Sequence, residues 1–230
     1  MKKKLVVLSI VSLMSVGLIT YAVDTAAPNI EKSNVYLEEA RAFTRKNDYA
    51  NAEKKLNEAI KLNNNNAYAY YELGQIEANR RNNDKAISYF NKAIQISPDE
   101  EEFYFARGGA EAFKYQLKAF INDMNTVIKI NPKNGQAYGL LAATYSRYGL
   151  KEQAFEYINK AIQYEETSLD MLYQIRAELK VQSQDYDGAI ADYNKAIVEA
   201  KKGSDSNIAQ KVEYLKQKIF EIQEAKKAFK

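Results

Sequence analysis

The chain of 230 residues is 46% apolar and 27% charged, a balance that supports a packed core and excludes an extended disordered polymer. It contains no cysteine and no histidine, which excludes disulfides, thiolate or imidazole catalysis, and metal sites built on those side chains. The formal net charge is +3, without the broad basic bias expected of a protein that grips a phosphate backbone.

The chain opens MKKKLVVLSIVSLMSVGLITYA, in which Lys2, Lys3 and Lys4 precede an apolar run from Leu5 to Ile19. Thr20 and Ala22 are spaced as the small residues before a cleavage site, so residues 1–22 read as a signal peptide. An uncleaved anchor is the alternative, since Leu5 to Val23 is a stretch of 19 residues without charge. Either way the remainder is expected to be exported, to the periplasm or beyond the cell. Cleavage removes three lysines and no acid, turning 33 basic against 30 acidic residues into 30 against 30, so no nucleic-acid partner is expected. Residues 23–32 are expected to form a short tether.

From Ser33 onward the chain is periodic. Tyr36, Tyr70, Tyr104, Tyr138 and Tyr173 recur at intervals of 34, 34, 34 and 35, each followed four residues later by Ala40, Gly74, Gly108, Ala142 or Ala177. Two further series, Ala52, Ala86, Phe120, Ala154 and Ala189, and Ala59, Ala93, Val127, Ala161 and Ala196, keep the same step. Within each period apolar residues fall three or four apart, as in Ala86, Phe90, Ala93 and Ile94, which predicts amphipathic helices. Short polar turns such as Lys46-Asn47-Asp48 separate them, with longer breaks at Asn63 to Asn66, Ser97-Pro98 and Asn131-Pro132. Each period is therefore helix, turn, helix, and neighbours must stack because an isolated pair cannot bury its apolar face.

The run Tyr70-x-x-Leu73-Gly74, then Ala86-x-x-x-Phe90 and Pro98, resembles a tetratricopeptide repeat (TPR). The resemblance covers Ser33 to Gly203 as five repeats, 33–66, 67–100, 101–134, 135–168 and 169–203. It implies an all-α fold, a right-handed α-solenoid of helix-turn-helix repeats. Departures from the pattern are Phe120 at a close helix crossing, where the third repeat is expected to splay or shift, and Glu39 and Arg176 at normally apolar positions. The irregularity of repeats one and five is expected where repeats lack neighbours.

After the repeats, residues 204–230 carry one apolar stripe, Ile208, Val212, Leu215, Ile219, Ile222 and Phe229. This reads as a helix capping the last repeat, with a pairing helix of a homodimer as the alternative. The chain is expected to be a monomer or a weak homodimer.

No catalytic, cofactor or metal site is expected. Gly108-Gly109 lies inside a helical repeat, where a helix-packing role outweighs a phosphate loop, and Asp99 to Glu102 lacks the ligand alternation of a calcium loop and reads as a helix start. Carboxylates are scattered without a dyad, so an enzyme is not expected.

The resemblance implies that the first helices of successive repeats line a concave groove. In that register the groove holds Leu37, Arg41 and Arg45, then Tyr68, Tyr71, Gln75 and Asn79, then Phe105, Gly109, Ala112 and Phe113. The last two repeats contribute Gln136, Gly139, Ala143, Ser146, Arg147, Gln174 and Glu178. Aromatic rings beside arginine forks suit a protein or peptide partner, with guanidinium groups holding a carboxylate. Chaperone-binding members of the family clamp a C-terminal carboxylate, but Leu37 stands at the first lysine of that clamp, so it does not carry over. A scaffold or adaptor outside the cytoplasm is therefore the expected function, with a subunit of an envelope-assembly complex as the alternative. Replacing Tyr71 and Arg45 together by alanine is expected to weaken partner binding without loss of stability.

Overall fold

The computed structural model describes residues 28–165, 169–203 and 206–228. Among them are eleven helices and no strand. The chain divides into two compact units, one reaching Gln116 and the other starting at Leu117. The division falls between the two helices of the third repeat, the repeat in which Phe120 replaces alanine. The sequence assigned to a signal peptide lies outside the described residues. Of the segment expected as a tether, residues 28–32 are helical, exposed and continuous with the first helix.

The N-terminal unit holds α1 (28–44), α2 (Tyr49–Leu62), α3 (Ala67–Asn79), α4 (Asn83–Ile96) and α5 (Glu101–Phe113). Its core joins α1, α2 and α3 through Leu37, Ala40, Leu56, Leu73 and Ile76, then continues through Phe90 and Phe103. Burying one such side chain contributes about 1.5–3 kcal/mol, so a helix pair too short to stand alone is held by the next. A polar tie fixes the first repeat: the buried Ser33 hydroxyl donates to the Ala59 carbonyl at 2.9 Å and accepts from Asn66 Nδ2 at 2.9 Å. Asn66 also caps α3, accepting from the Ala69 N–H at 3.1 Å.

The C-terminal unit holds α6 (Leu117–Ile130), α7 (Gly135–Arg147), α8 (Lys151–Tyr164), α9 (Leu169–Gln182), α10 (Tyr186–Ala200) and α11 (Ile208–Ala228). Asn134 caps α7 as Asn66 caps α3, two periods apart. The final helix turns Val212, Leu215 and Ile222 onto Ala189, Tyr193 and Ala196 of the last repeat. Ion pairs hold it at both ends, Lys211 with Asp170 and Lys226 with Asp187.

Every described first helix of a repeat ends in the same way. Asn47, Arg81, Tyr115, Gly149 and Gln184 all have φ between 58° and 71°, the left-handed conformation. The following N–H reaches back five residues, as Asn82 N–H to Glu77 O at 2.9 Å and Leu150 N–H to Tyr145 O at 2.9 Å. This closure satisfies the last carbonyls of the helix and reverses the chain within three residues. Only one of the five is glycine.

The segment Asn-Lys-Ala-Ile, which occurs three times, repeats one packing solution. Asn91, Lys92, Asn159, Asn194 and Lys195 lie outward, Ala93, Ala161 and Ala196 are fully buried at helix crossings, and each isoleucine is largely covered. The five periodic tyrosines are half-buried or buried, and four of them carry cations on their faces: Lys55 stands 4.7 Å from Tyr36, Arg107 5.5 Å from Tyr104, Lys160 5.6 Å from Tyr138 and Lys195 5.4 Å from Tyr173.

Candidate functional site

In the N-terminal unit, α1, α3 and α5 bring together Arg41, Tyr68, Tyr71 and Gln75. The Arg41 guanidinium lies 5.4 Å from the Tyr68 ring. Tyr68 packs edge-on to Phe103 at 5.1 Å, and Tyr71 stacks obliquely on Phe103 at 5.1 Å and on Phe90 at 5.9 Å. Gln75 Nε2 donates to the Tyr71 hydroxyl at 2.7 Å. These contacts make Tyr71 part of the packing of three helices as well as of the surface.

Arg41 is not free to take a partner's carboxylate. Its Nε donates to Glu72 Oε1 at 2.7 Å and its Nη1 to Glu38 Oε1 at 2.8 Å. Burial disfavours its charge, but the bonds and charges of Glu72 and Glu38 outweigh that cost and raise its pKa. Tyr68 donates to Glu100 Oε2 at 3.0 Å and lies 3.5 Å from Glu102 Oε1. Its phenol is pushed up to about 12, first by burial and then by its bond to Glu100 and the charge of Glu102. Glu100 occupies the N-cap of α5 without capping it, since its carboxylate serves Tyr68 instead. Arg41 thus pairs with two carboxylates, Glu38 and Glu72, and two more, Glu100 and Glu102, lie at the Tyr68 hydroxyl, so the face is acidic and aromatic.

The remaining expected groove residues divide. Arg45 lies in the turn after α1, exposed, and Asn79 is exposed at the end of α3. Phe105 is half-covered and Phe113 is 79% exposed. Ala112 is exposed, and at Gly109 an added Cβ would meet no atom within 4 Å. Two residues expected at the surface are packing residues: Leu37 is buried in the first core cluster, and Gly139 lies where a Cβ would be 3.0 Å from Leu172. In the C-terminal unit Gln136 and Arg147 are exposed, Ala143 and Ser146 are half-covered, and Gln174 donates to Glu178 at 3.0 Å. The four acidic groups around Tyr68 and Arg41 escaped the sequence reading. Glu72 pairs with Arg41 across 31 residues and Glu100 with Tyr68 across 32, close to one period, which is the signal that finds such pairs.

Comparison with known proteins agrees with the fold. Two matches to the family model "Tetratricopeptide repeat" cover residues 37–101 and 135–168. Among solved structures, MamA from Desulfovibrio magneticus RS-1 is 20% identical, with TM-score 0.65, covering 76% of this chain and 98% of its own. YrrB, described as a TPR protein with an unusual peptide-binding site, is 16% identical, with TM-score 0.61, covering 78% of this chain and 90% of its own. Pseudomonas aeruginosa pilF is 13% identical, with TM-score 0.68, covering 87% of this chain and 99% of its own. No curated protein sequence matches.

An all-helical array of helix-turn-helix repeats of this kind is a fold of protein–protein interaction scaffolds, whose partners are proteins or peptides. The family follows from the repeat matches and the shared fold: the chain is a tetratricopeptide repeat protein.

Proposed function

We propose that this protein is a non-enzymatic scaffold that binds a peptide or protein segment on the acidic, aromatic face formed by α1, α3 and α5, and that the segment is basic. The observation that carries this reading is the closure of Arg41 by Glu38 and Glu72, which leaves an excess of carboxylates, Glu100 and Glu102 included, beside the half-exposed Tyr68 ring. A lysine or arginine of a partner gains both a carboxylate and a ring face there. For Arg41 this replaces the expectation that the groove arginines hold a partner's carboxylate. YrrB, a protein of the same fold with a peptide-binding site, supports a peptide as ligand.

Export to the periplasm or the medium is part of the proposal, supported by the three lysines and apolar run at the start of the sequence. No described helix is long and apolar enough to cross a membrane. Action as a monomer is supported by α11, which spends its apolar stripe on its own chain. A role without nucleic acid is supported by the balanced charge that remains after residue 22.

The test is a peptide array probed with wild-type protein and with Glu102→Lys, whose side chain is exposed. Basic peptides should be captured by the wild type and lost by the variant, with an unchanged melting temperature. Preferential capture of acidic peptides by the wild type rejects the reading. Intact mass of the protein recovered from envelope and medium fractions checks export.

A further inference from the structure

Between the last repeat and α11, within the C-terminal unit, lies a cleft of about 540 Å³. That size is within the range of sites for small ligands or single side chains. Three tyrosines line it, Tyr186 and Tyr193 from α10 and Tyr214 from α11, together with Glu178, Lys218 and Glu221. Val181 and Ile222 supply apolar wall.

Two features mark it as unfinished. Tyr193 is only 2% exposed, yet its hydroxyl makes no hydrogen bond to any described residue. The hydroxyl is not among the buried unpartnered atoms of the described residues, so it opens into the cleft, where a ligand can reach it. Burial raises the Tyr193 phenol above its ordinary value, and the charges of Glu178 and, more weakly, Tyr214 and Glu221 add to the rise. The second feature is Glu178, which receives the Gln174 amide at 3.0 Å but forms no ion pair among the described residues.

The cleft already displays the chemistry it favours. Lys218 Nζ lies 2.9 Å from Glu221 Oε2 and 5.6 Å from the centre of the Tyr214 ring, an ammonium held by a carboxylate and a π face. That lysine pairs directly with Glu221 and feels the charge of Glu178 only at longer range, so Glu178 and the Tyr193 hydroxyl have no directly bonded cation among the described residues.

We propose that this cleft is a binding site for an alkylammonium group, a lysine-type side chain or a free aliphatic amine. Its N–H groups donate to the Glu178 carboxylate and the Tyr193 hydroxyl oxygen, its charge lies against the tyrosine rings, and its methylenes lie along Val181 and Ile222. Lys218 competes for the same environment and sets the threshold that a ligand must exceed.

Calorimetric titration of the full chain tests this with 1,5-diaminopentane, with the blocked tripeptide acetyl-Ala-Lys-Ala-amide and with 1-pentanol as the neutral control. Saturable binding of an amine, and none of pentanol, is expected. Tighter binding of the diamine identifies a free amine as the natural occupant, and tighter binding of the peptide identifies a partner's lysine. Glu178→Gln should weaken amine binding at least tenfold at unchanged melting temperature, and Lys218→Met should strengthen it several-fold by removing the internal competitor. Absence of amine binding to the wild type and to Lys218→Met, equal binding by Glu178→Gln, or weaker binding by Lys218→Met overturns the proposal.

Discussion

Arg176 of α9 and Asp192 of α10 are joined by two parallel hydrogen bonds, Nε to Oδ2 and Nη2 to Oδ1, each 2.8 Å. Lys180 Nζ adds a contact of 2.8 Å to Oδ2, and Asp192 is 1% exposed. The same two positions, 16 residues apart, hold Glu39 and Lys55 in the first repeat, paired at 2.6 Å with the charges reversed. In the second and fourth repeats they hold Leu73 with Tyr89 and Leu141 with Tyr157. Glu39 and Arg176 are therefore halves of pairs within their own repeats, which corrects their reading as irregularities at ends without neighbours.

Arg176→Ala leaves a buried carboxylate with Lys180 alone, and should cost about 3 kcal/mol, the lower end of what breaking a buried pair costs. Substituting both positions with the residues of repeats two and four, Arg176→Leu with Asp192→Tyr, should stay within about 1.5 kcal/mol of wild type, since a packed apolar pair replaces a buried ionic one at little net change. Urea unfolding of the three proteins at pH 7 separates the cases; a double variant as unstable as Arg176→Ala rejects the equivalence.

The same pair sets an acid limit. Burial opposes ionisation of Asp192, but the hydrogen bonds from Arg176 and Lys180 outweigh it and hold the carboxyl below its ordinary value. A depressed folded pKa contributes stability that is fully present above the unfolded value, about 3.9, and is lost as pH falls through the folded value. Unfolding midpoints measured from pH 6 to pH 2.5 should therefore fall below about pH 4 more steeply in the wild type than in the apolar double variant.

The left-handed turn positions predict opposite signs for two glycine exchanges. Tyr115 is 94% exposed at φ 59°, so its side chain packs on nothing while its backbone carries the cost of that conformation. Tyr115→Gly should stabilise by about 1 kcal/mol, and Gly149→Ala, at φ 71° with open space around it, should destabilise by about as much. Thermal unfolding of both checks the pair, and equal signs would show that the turns are not limited by backbone conformation.

How much of this was legible in the sequence depends on the range of each interaction. The 34-residue step exposed the helix pairs because small residues at crossings, such as Ala52 and Ala86, cannot vary without moving a neighbouring helix. Side-chain assignment within the groove was weaker. Successive residues of a helix point about 100° apart, so Leu37 and Gly139 turned inward against the next repeat. Arg45 fell beyond the helix end, in a turn. In the sequence Tyr71 reads as a binding residue separable from stability, whereas its contacts with Phe90 and Phe103 make Tyr71→Ala destabilising. The pairing of Arg41 with Glu72 depends on how one repeat packs on the next, which no single repeat displays.

Two glycines of the N-terminal unit test packing directly. At Gly74 an added Cβ would lie 2.5 Å from Phe90 Cε1, and Phe90 is fully buried, so its ring has no room to withdraw. Gly74→Ala should destabilise by about 1–3 kcal/mol, the usual cost of overpacking a filled core. Gly109, in the middle of α5 with nothing near its Cα face, should respond to alanine with a gain of about 0.5–1 kcal/mol from helix propensity alone. A loss at Gly109 would mean that a partner helix or ligand approaches that face in solution.

Leu215 decides whether α11 is a structural cap. It is fully buried against the last repeat, among Tyr193, Ala196 and Ile197, while Phe220 on the same helix is 55% exposed. If the helix caps this chain, Leu215→Ala should cost about 3–5 kcal/mol in unfolding free energy and Phe220→Ala almost nothing, with sedimentation giving a monomer in both. If instead α11 pairs two copies, Phe220→Ala should shift a dimer to monomer and make the melting temperature depend on concentration in the wild type alone. The inward stripe of Val212, Leu215 and Ile222 packs within one chain, so the first outcome is the one expected.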